Sequence, residues 1–66
     1  MSHTEQHNGY AVVVQRAADR WSWAINDVDA NIAASGEAAD RETAWRTGVV
    51  AADVIGRLQR ARRRAV

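Results

Sequence analysis

Two short runs near the middle of the chain alternate apolar and polar side chains. They are YAVVVQ (residues 10–15) and WSWAIN (residues 21–26). A period of two is typical of β-strands that bury one face. The side chains on the apolar side are Tyr10, Val12, Val14, Trp21, Trp23 and Ile25.

A turn at residues 17–20 would fold these runs into a hairpin with one self-consistent register. The predicted pairs are Val14 with Trp23, Val12 with Ile25, and Arg16 with Trp21. A second turn, DVDAN (residues 27–31), leads to a short third strand, IAAS (residues 32–35). Its predicted pairs are Ile32 with Ile25 and Ala34 with Trp23. A slip of one residue would scatter the large apolar side chains over both faces, so the pattern favours an antiparallel meander.

A helix is predicted to follow. Asp40 suits the N-cap, Glu42 suits the positive end of the helix dipole, and no proline interrupts the sequence that follows. The side predicted to face the sheet carries Ala44, Gly48, Ala51, Ile55 and Leu58. The polar side includes the i,i+4 pairs Glu42–Arg46 and Asp53–Arg57. The predicted fold is therefore α+β: a three-stranded antiparallel meander packed on one long C-terminal helix (β-β-β-α).

The core follows from size complementarity between the two layers. Bulky indoles on the sheet would meet small residues on the helix, which allow close approach. The predicted core comprises Tyr10, Val12, Val14, Trp21, Trp23, Ile25, Ile32, Ala44, Gly48, Ala51 and Ile55.

The domain organisation is a disordered leader (1–9) followed by one domain (10–66). A helix from Arg41 to Arg64 would be about 36 Å long, whereas a strand of six residues spans about 20 Å. Residues 57–66, RLQRARRRAV, are therefore expected to overhang the sheet as a basic helical end.

The chain has 66 residues and no cysteine. A domain of this size has a marginal core, and without disulfides it often depends on oligomerisation. We find neither a signal-peptide core nor an apolar run long enough to span a bilayer. These features predict a cytoplasmic protein that does not enter a membrane.

Charge is distributed unevenly along the chain. Residues 1–53 contain four arginines and all eight acidic residues, whereas residues 54–66 contain five arginines and no acid. Candidate contacts to anions or nucleic acid are Arg57, Arg60, Arg62, Arg63 and Arg64. Basic helices do bind phosphates. The second face of the predicted sheet, however, is small and uncharged, which argues against a stacking platform for bases.

Little in the sequence supports catalysis, a cofactor or a metal. His3 and His7 have i,i+4 spacing but no third ligand nearby, and both lie in the expected leader. Asp27 and Asp29 lie in a turn, where aspartate is common. We therefore predict no catalytic, cofactor-binding or metal-binding residues.

The apolar arc of the helix is broader than one three-stranded sheet can cover. The candidate partner face consists of Leu58, Ala61, Ala65, Val50 and Val54. The primary hypothesis is a non-catalytic protein-interaction module that forms a homodimer. The alternatives are a small nucleic-acid-binding or regulatory protein that uses the arginine cluster, and an accessory or inhibitory subunit of a larger complex.

The order of motifs Y-x-V-x-V, D-R-W-S-W-A-I, N-I-A-A-S and A-W-R-T-G-V-V resembles the YegP-like β-β-β-α family. The likeness covers roughly residues 10–56, and departs from the family at residues 29–31, where the family favours a glycine. It implies that the fold-defining residues are Trp21, Trp23, Ile25, Ile32, Ser35, Ala44 and Gly48. Because the family's biochemical role is not established, and its members often carry tandem repeats, it implies a fold and a paired arrangement but no mechanism.

A weaker likeness is to the partial β-β-β-α domain of HicB-type antitoxins. It lies in Gly36-Glu37 and in the run Glu42-Thr43-Ala44 at the start of the helix. It implies an antitoxin-like regulator, although the spacing is two residues longer here and no added DNA-binding element follows.

Overall fold

The computed structural model describes the backbone of residues 2–64 and the side chains of residues 4–62. The elements are β1 (Ser2–His7), β2 (Tyr10–Ala17), β3 (Arg20–Asn26), β4 (Ile32–Ala38) and α1 (Arg41–Arg64). The strands form one antiparallel sheet in the order β1-β2-β3-β4, and α1 packs on one face of it. The α+β class is confirmed, whereas the predicted number of strands is wrong, because the described residues form four strands.

The additional strand, β1, comes from the segment expected to be a disordered leader. Its connection to β2 is the dipeptide Asn8-Gly9, with φ angles of 57° and 87°. Two positive φ angles in a two-residue loop define a type I′ turn, for which Asn-Gly is the preferred sequence. The turn pairs His7 with Tyr10 and Glu5 with Val12. Polar residues are tolerated in β1 because it forms an edge of the sheet.

The β2–β3 hairpin has the predicted register. Val14 pairs with Trp23, Val12 with Ile25, and Arg16 with Trp21. The turn lies at Ala18 and Asp19, and Ala18 has a left-handed φ of 57°. The alternation of apolar residues, together with the short turn at residues 17–20, was therefore sufficient to predict this register.

The predicted β3–β4 register is wrong by two residues. Ile25 pairs with Ala34, and Trp23 pairs with Gly36. Two features cause the shift. Asp27 closes the loop by accepting hydrogen bonds from the backbone N–H groups of Asp29 (2.9 Å) and Asn31 (3.0 Å), and a register irregularity lies at Ile25/Asn26.

As a result, Ile32 lies at the end of the strand and is 67% exposed. It does not belong to the core, contrary to the prediction.

The observed register places a glycine beneath an indole. A Cβ atom at Gly36 would lie 2.9 Å from Cζ2 and Nε1 of Trp23. Any side chain at this position would displace the ring, so the absence of one at Gly36 allows Trp23 to lie across β4.

Helix α1 begins with the predicted cap. The Oδ1 atom of Asp40 accepts a hydrogen bond of 2.7 Å from the backbone N–H of Thr43. This bond, aided by the Thr43 hydroxyl, lowers the pKa of the Asp40 carboxyl below its usual value of 3.8. The ionised carboxylate is therefore the form that stabilises the start of the helix.

This cap predicts a specific pH dependence. A lowered folded-state pKa gives stability that is present above the unfolded pKa and is lost as the pH falls through the folded pKa. The amide oxygen introduced by Asp40→Asn would still accept the hydrogen bond but could not titrate there. The stability is lost between the unfolded pKa of 3.8 and the lower folded pKa of Asp40. We expect the difference in thermal midpoint between the wild type and Asp40→Asn to shrink as the pH falls through this interval. A difference independent of pH would contradict this assignment.

The core between the sheet and α1 consists mainly of small side chains. The fully or nearly fully buried apolar residues are Val12, Val14, Ile25, Ala38, Ala44 and Ala52. Gly48 is also buried. The other predicted core members are half-buried around this cluster: Tyr10, Trp21, Trp23, Ala51 and Ile55. Ala38 and Ala52 were not in the predicted core.

Candidate interaction surface

Three branched apolar side chains form an exposed stripe along α1. Val50 is 55% exposed, Val54 48% and Leu58 59%. They are spaced at i, i+4 and i+8, which places them on one side of a helix. Ala61 continues this side and is also exposed. We call Val50, Val54, Leu58 and Ala61 the apolar stripe.

The stripe contains four of the five residues of the predicted partner face. The fifth, Ala65, lies outside the described residues. Leu58 was also placed on the side of the helix facing the sheet, but its exposure shows that the sheet does not cover it.

Helix α1 also contacts the strand β1, on the side away from the apolar stripe. The ring of Trp45 packs edge-on against His7 of β1, with ring centroids 5.8 Å apart. Trp45 and Val49 are half-buried. The apolar arc of α1 was too broad for the three predicted strands. Its Trp45 side packs towards the additional strand, β1. The opposite side, which carries the apolar stripe, is left exposed.

Two of the five candidate arginines bind groups within the chain. Arg57 forms an ion pair of 2.9 Å with Asp53, as the i,i+4 spacing predicted. Arg60 donates a hydrogen bond to the side-chain oxygen of Asn8. Arg62 is exposed, and the side chains of Arg63 and Arg64 lie outside the described part. The structure therefore does not present the cluster as five equivalent free cations.

Asn8 connects the β1–β2 turn to the second half of α1. Its Nδ2 atom donates to both the backbone oxygen and the Oδ1 atom of Asp53, each at 3.2 Å. A Cβ atom on Gly56 would lie 2.7 Å from the same nitrogen, so Gly56 provides the space into which the amide fits. We call Asn8, Asp53, Gly56 and Arg60 the Asn8 clamp.

Sequence reasoning placed Asn8 in the leader and missed its role. The available signal was the dipeptide Asn8-Gly9 immediately before an alternating apolar run, which is a strong hairpin signal. The contact with α1 had no signal in the sequence, because it joins residues at least 45 positions apart.

Two open grooves flank α1. One, of about 420 Å³, is lined by Glu5, Val14, Arg41, Glu42 and Trp45. The other, of about 670 Å³, lies between the Asn8-Gly9 turn, the loop at residues 27–29 and the end of the helix from Gly56 to Arg60. Both are lined by acidic and basic side chains together with apolar ones.

His3 and His7 lie four residues apart on the extended strand β1, where this spacing separates backbone positions by about 13 Å. His7 packs against Trp45, and the side chain of His3 lies outside the described part. Within that part, no group of three or more His, Cys, Asp or Glu side chains is placed to hold a metal ion. In the described helix we also find no stretch long and apolar enough to span a membrane.

The face of the sheet opposite α1 is less uniform than expected. Because β4 continues to Ala38, Ser22 pairs with Glu37, which adds a carboxylate to this face. Glu37 forms an ion pair of 3.4 Å with Arg20. The predicted uncharged face therefore carries an ion pair at one corner.

Comparison with known proteins leaves the family of this chain open. The chain matches no protein-family model, no curated protein and no solved structure. The similarity to YegP-like and HicB-type domains remains a prediction.

Proposed function

We propose that the protein is a non-catalytic interaction module that forms a homodimer through the apolar stripe of α1. The single observation that carries this proposal is the exposure of Val50, Val54 and Leu58 at helical spacing. Single exposed apolar residues are common on protein surfaces, but a continuous stripe of them is typical of a helix that packs on a partner.

The composition of the core supports the need for a partner. The largest fully buried side chains are only Ile25, Val12 and Val14. Alanines and glycine fill most of the helix side, so the apolar area buried within one chain is small. Burying the apolar stripe against a second copy would add to this area at about 25 cal/mol per Å².

The apolar stripe can pack on itself in a two-fold symmetric pair, which favours a second copy of the chain over an unrelated partner. In a two-fold symmetric pair centred near Val54, the two helices run antiparallel. Val50 of one protomer then lies against Leu58 of the other. The basic end of each helix reaches the start of its partner, where Asp40 and Glu42 are balanced by Arg41 and Arg46, so apolar contact and not charge holds the pair.

A charge in the apolar stripe is expected to prevent dimerisation without unfolding the chain. In Leu58→Glu, the new carboxylate lies four residues before Arg62, an orientation that favours the helix. In the dimer the same carboxylate would be buried against apolar side chains of the other protomer. We expect the dissociation constant measured by sedimentation equilibrium to rise by more than about tenfold.

The matched control is Gln59→Glu, which makes the same change in charge one position along α1, outside the stripe. It is expected to dimerise like the wild type. A wild-type chain that sediments as a folded monomer at micromolar concentration would refute the proposal, as would equal dimerisation by Leu58→Glu.

Nucleic-acid binding is the competing function, and Arg57 and Arg60 argue against it as primary contacts. Both are held by Asp53 and Asn8 within the chain. Electrostatic binding to phosphates weakens steeply with salt. A salt-dependent gel shift that is lost in Arg62→Gln would favour this alternative over the dimer.

A further inference from the structure

The Asn8-Gly9 turn combines a reactive dipeptide with a structural contact. Asn8 is exposed to water, and its neighbour Gly9 has no side chain to hinder approach to its backbone nitrogen. These are the conditions for deamidation of an asparagine through a cyclic imide. We propose that Asn8 is a deamidation site whose reaction is restrained by the Asn8 clamp, and whose product cannot re-form the clamp.

The reaction needs only water as co-reactant. The backbone nitrogen of Gly9 attacks Cγ of Asn8, a new C–N bond forms, and the bond from Cγ to Nδ2 breaks. The Nδ2 nitrogen leaves as ammonia, taking up the proton lost from the Gly9 amide. Water then opens the imide at either carbonyl and leaves aspartate or isoaspartate, so the net change is amide plus water to acid plus ammonia.

The clamp restrains the side-chain amide at both of its polar atoms. Nδ2 is bound to two oxygens of Asp53, at 3.2 Å each, and the side-chain oxygen accepts a hydrogen bond from Arg60. To bring Cγ onto the Gly9 nitrogen, the side chain must rotate out of these bonds and the type I′ turn must change its backbone conformation. Opening of the clamp therefore precedes the reaction.

The product would not fit the site that the amide leaves. Aspartate at position 8 has no N–H to donate to Asp53, and its carboxylate would face the Asp53 carboxylate at about the distance now spanned by a hydrogen bond. Two carboxylates that close repel each other, although Arg57 is paired with Asp53 and Arg60 lies beside position 8. Isoaspartate would in addition lengthen the backbone of a two-residue turn. The end of α1 from Gly56 onwards would then remain detached from the sheet.

The first test follows deamidation of the full chain by peptide mapping with mass spectrometry. We expect Asn8 to react faster than Asn26 and Asn31, which precede Asp27 and Ile32 and serve as internal controls. Arg60→Gln removes one bond of the clamp, so Asn8 is expected to react about threefold to tenfold faster. Arg62→Gln, at a nearby helical position outside the clamp, is expected to leave the rate unchanged. Equal rates at Asn8 and Asn31, or no change in Arg60→Gln, would overturn the proposal.

The second test measures whether the clamp can close after the reaction. Asn8→Asp represents one product, and Gln15→Glu is a control with the same change in charge at an exposed strand position. Hydrogen exchange of residues 53–60 is expected to be at least about threefold faster in Asn8→Asp than in the control. Deamidated wild-type protein, separated by ion exchange, provides the same readout if Asn8→Asp folds poorly. Equal protection in all of these proteins would overturn the claim that the deamidated product cannot re-form the Asn8 clamp. The first test does not depend on dimerisation. The second is carried out on Asn8→Asp and its control at the same low concentration, because residues 53–60 include Val54 and Leu58 of the apolar stripe.

Discussion

Replacing Ile25 by alanine is expected to cost about 2–5 kcal/mol of unfolding free energy, because it leaves a cavity at a fully buried position. Ile25 is the largest of the fully buried side chains. A core in a domain of this size rarely supplies more than about 3–5 kcal/mol, so this one substitution removes most of the stability. Urea denaturation followed by tryptophan fluorescence measures the loss.

Ile32→Ala is the matched control for this prediction. It removes the same atoms from another strand of the same sheet, but Ile32 is 67% exposed. Its expected cost is within about 0.5 kcal/mol, as for most surface substitutions. If the two variants were equally destabilised, the observed register of β3 and β4 would be wrong and the register predicted from sequence would be favoured.

Gly48→Ala is expected to destabilise the protein by about 1–3 kcal/mol, the usual cost of overpacking a well-packed core. In an exposed helix the same change would be stabilising by about 1 kcal/mol, because alanine has the higher helix propensity. The sign reverses here because the added Cβ would lie 2.7 Å from Cγ1 of Val12. Thermal and urea unfolding would both show the loss.

A double-mutant cycle identifies the cause. Val12→Ala alone removes buried methyl groups and is destabilising, but it also removes the atom with which the new Cβ would collide. We expect the double variant to lose less unfolding free energy than the sum of the losses in the two single variants, by at least about 0.5 kcal/mol. Simple additivity would show that Gly48 is needed for a reason other than contact with Val12.

The sequence was most informative where large side chains alternate. The β2–β3 register could be predicted because the alternation of Val12, Val14, Trp23 and Ile25 excludes a slip of one residue, and the short turn at residues 17–20 excludes longer slips. The helix cap at Asp40 could be predicted because its chemistry is local. The exposed residues of the apolar stripe could also be predicted, since the apolar arc exceeded what a three-stranded sheet could cover.

The sequence was least informative where small or polar residues carry the structure. The start of β4 depends on hydrogen bonds to Asp27 and on an irregularity at Asn26, neither of which alters the pattern of apolar residues. The strand β1 is polar, so only the Asn8-Gly9 turn marked it. The fit of Asn8 against Gly56 depends on how the turn and the helix are placed in three dimensions.

The order of the sheet also has a consequence for how the chain folds. Every strand pairs with its neighbour in sequence, so the sheet can grow one hairpin at a time with little loss of loop entropy. Chains dominated by such local pairings fold quickly. The bonds of Asn8 to Asp53 and Arg60 span 45 and 52 positions and can form only when both the first turn and the last helix are in place. The β1–β2 hairpin, which is synthesised before the rest of this domain, is thus the part that waits longest for its final contact.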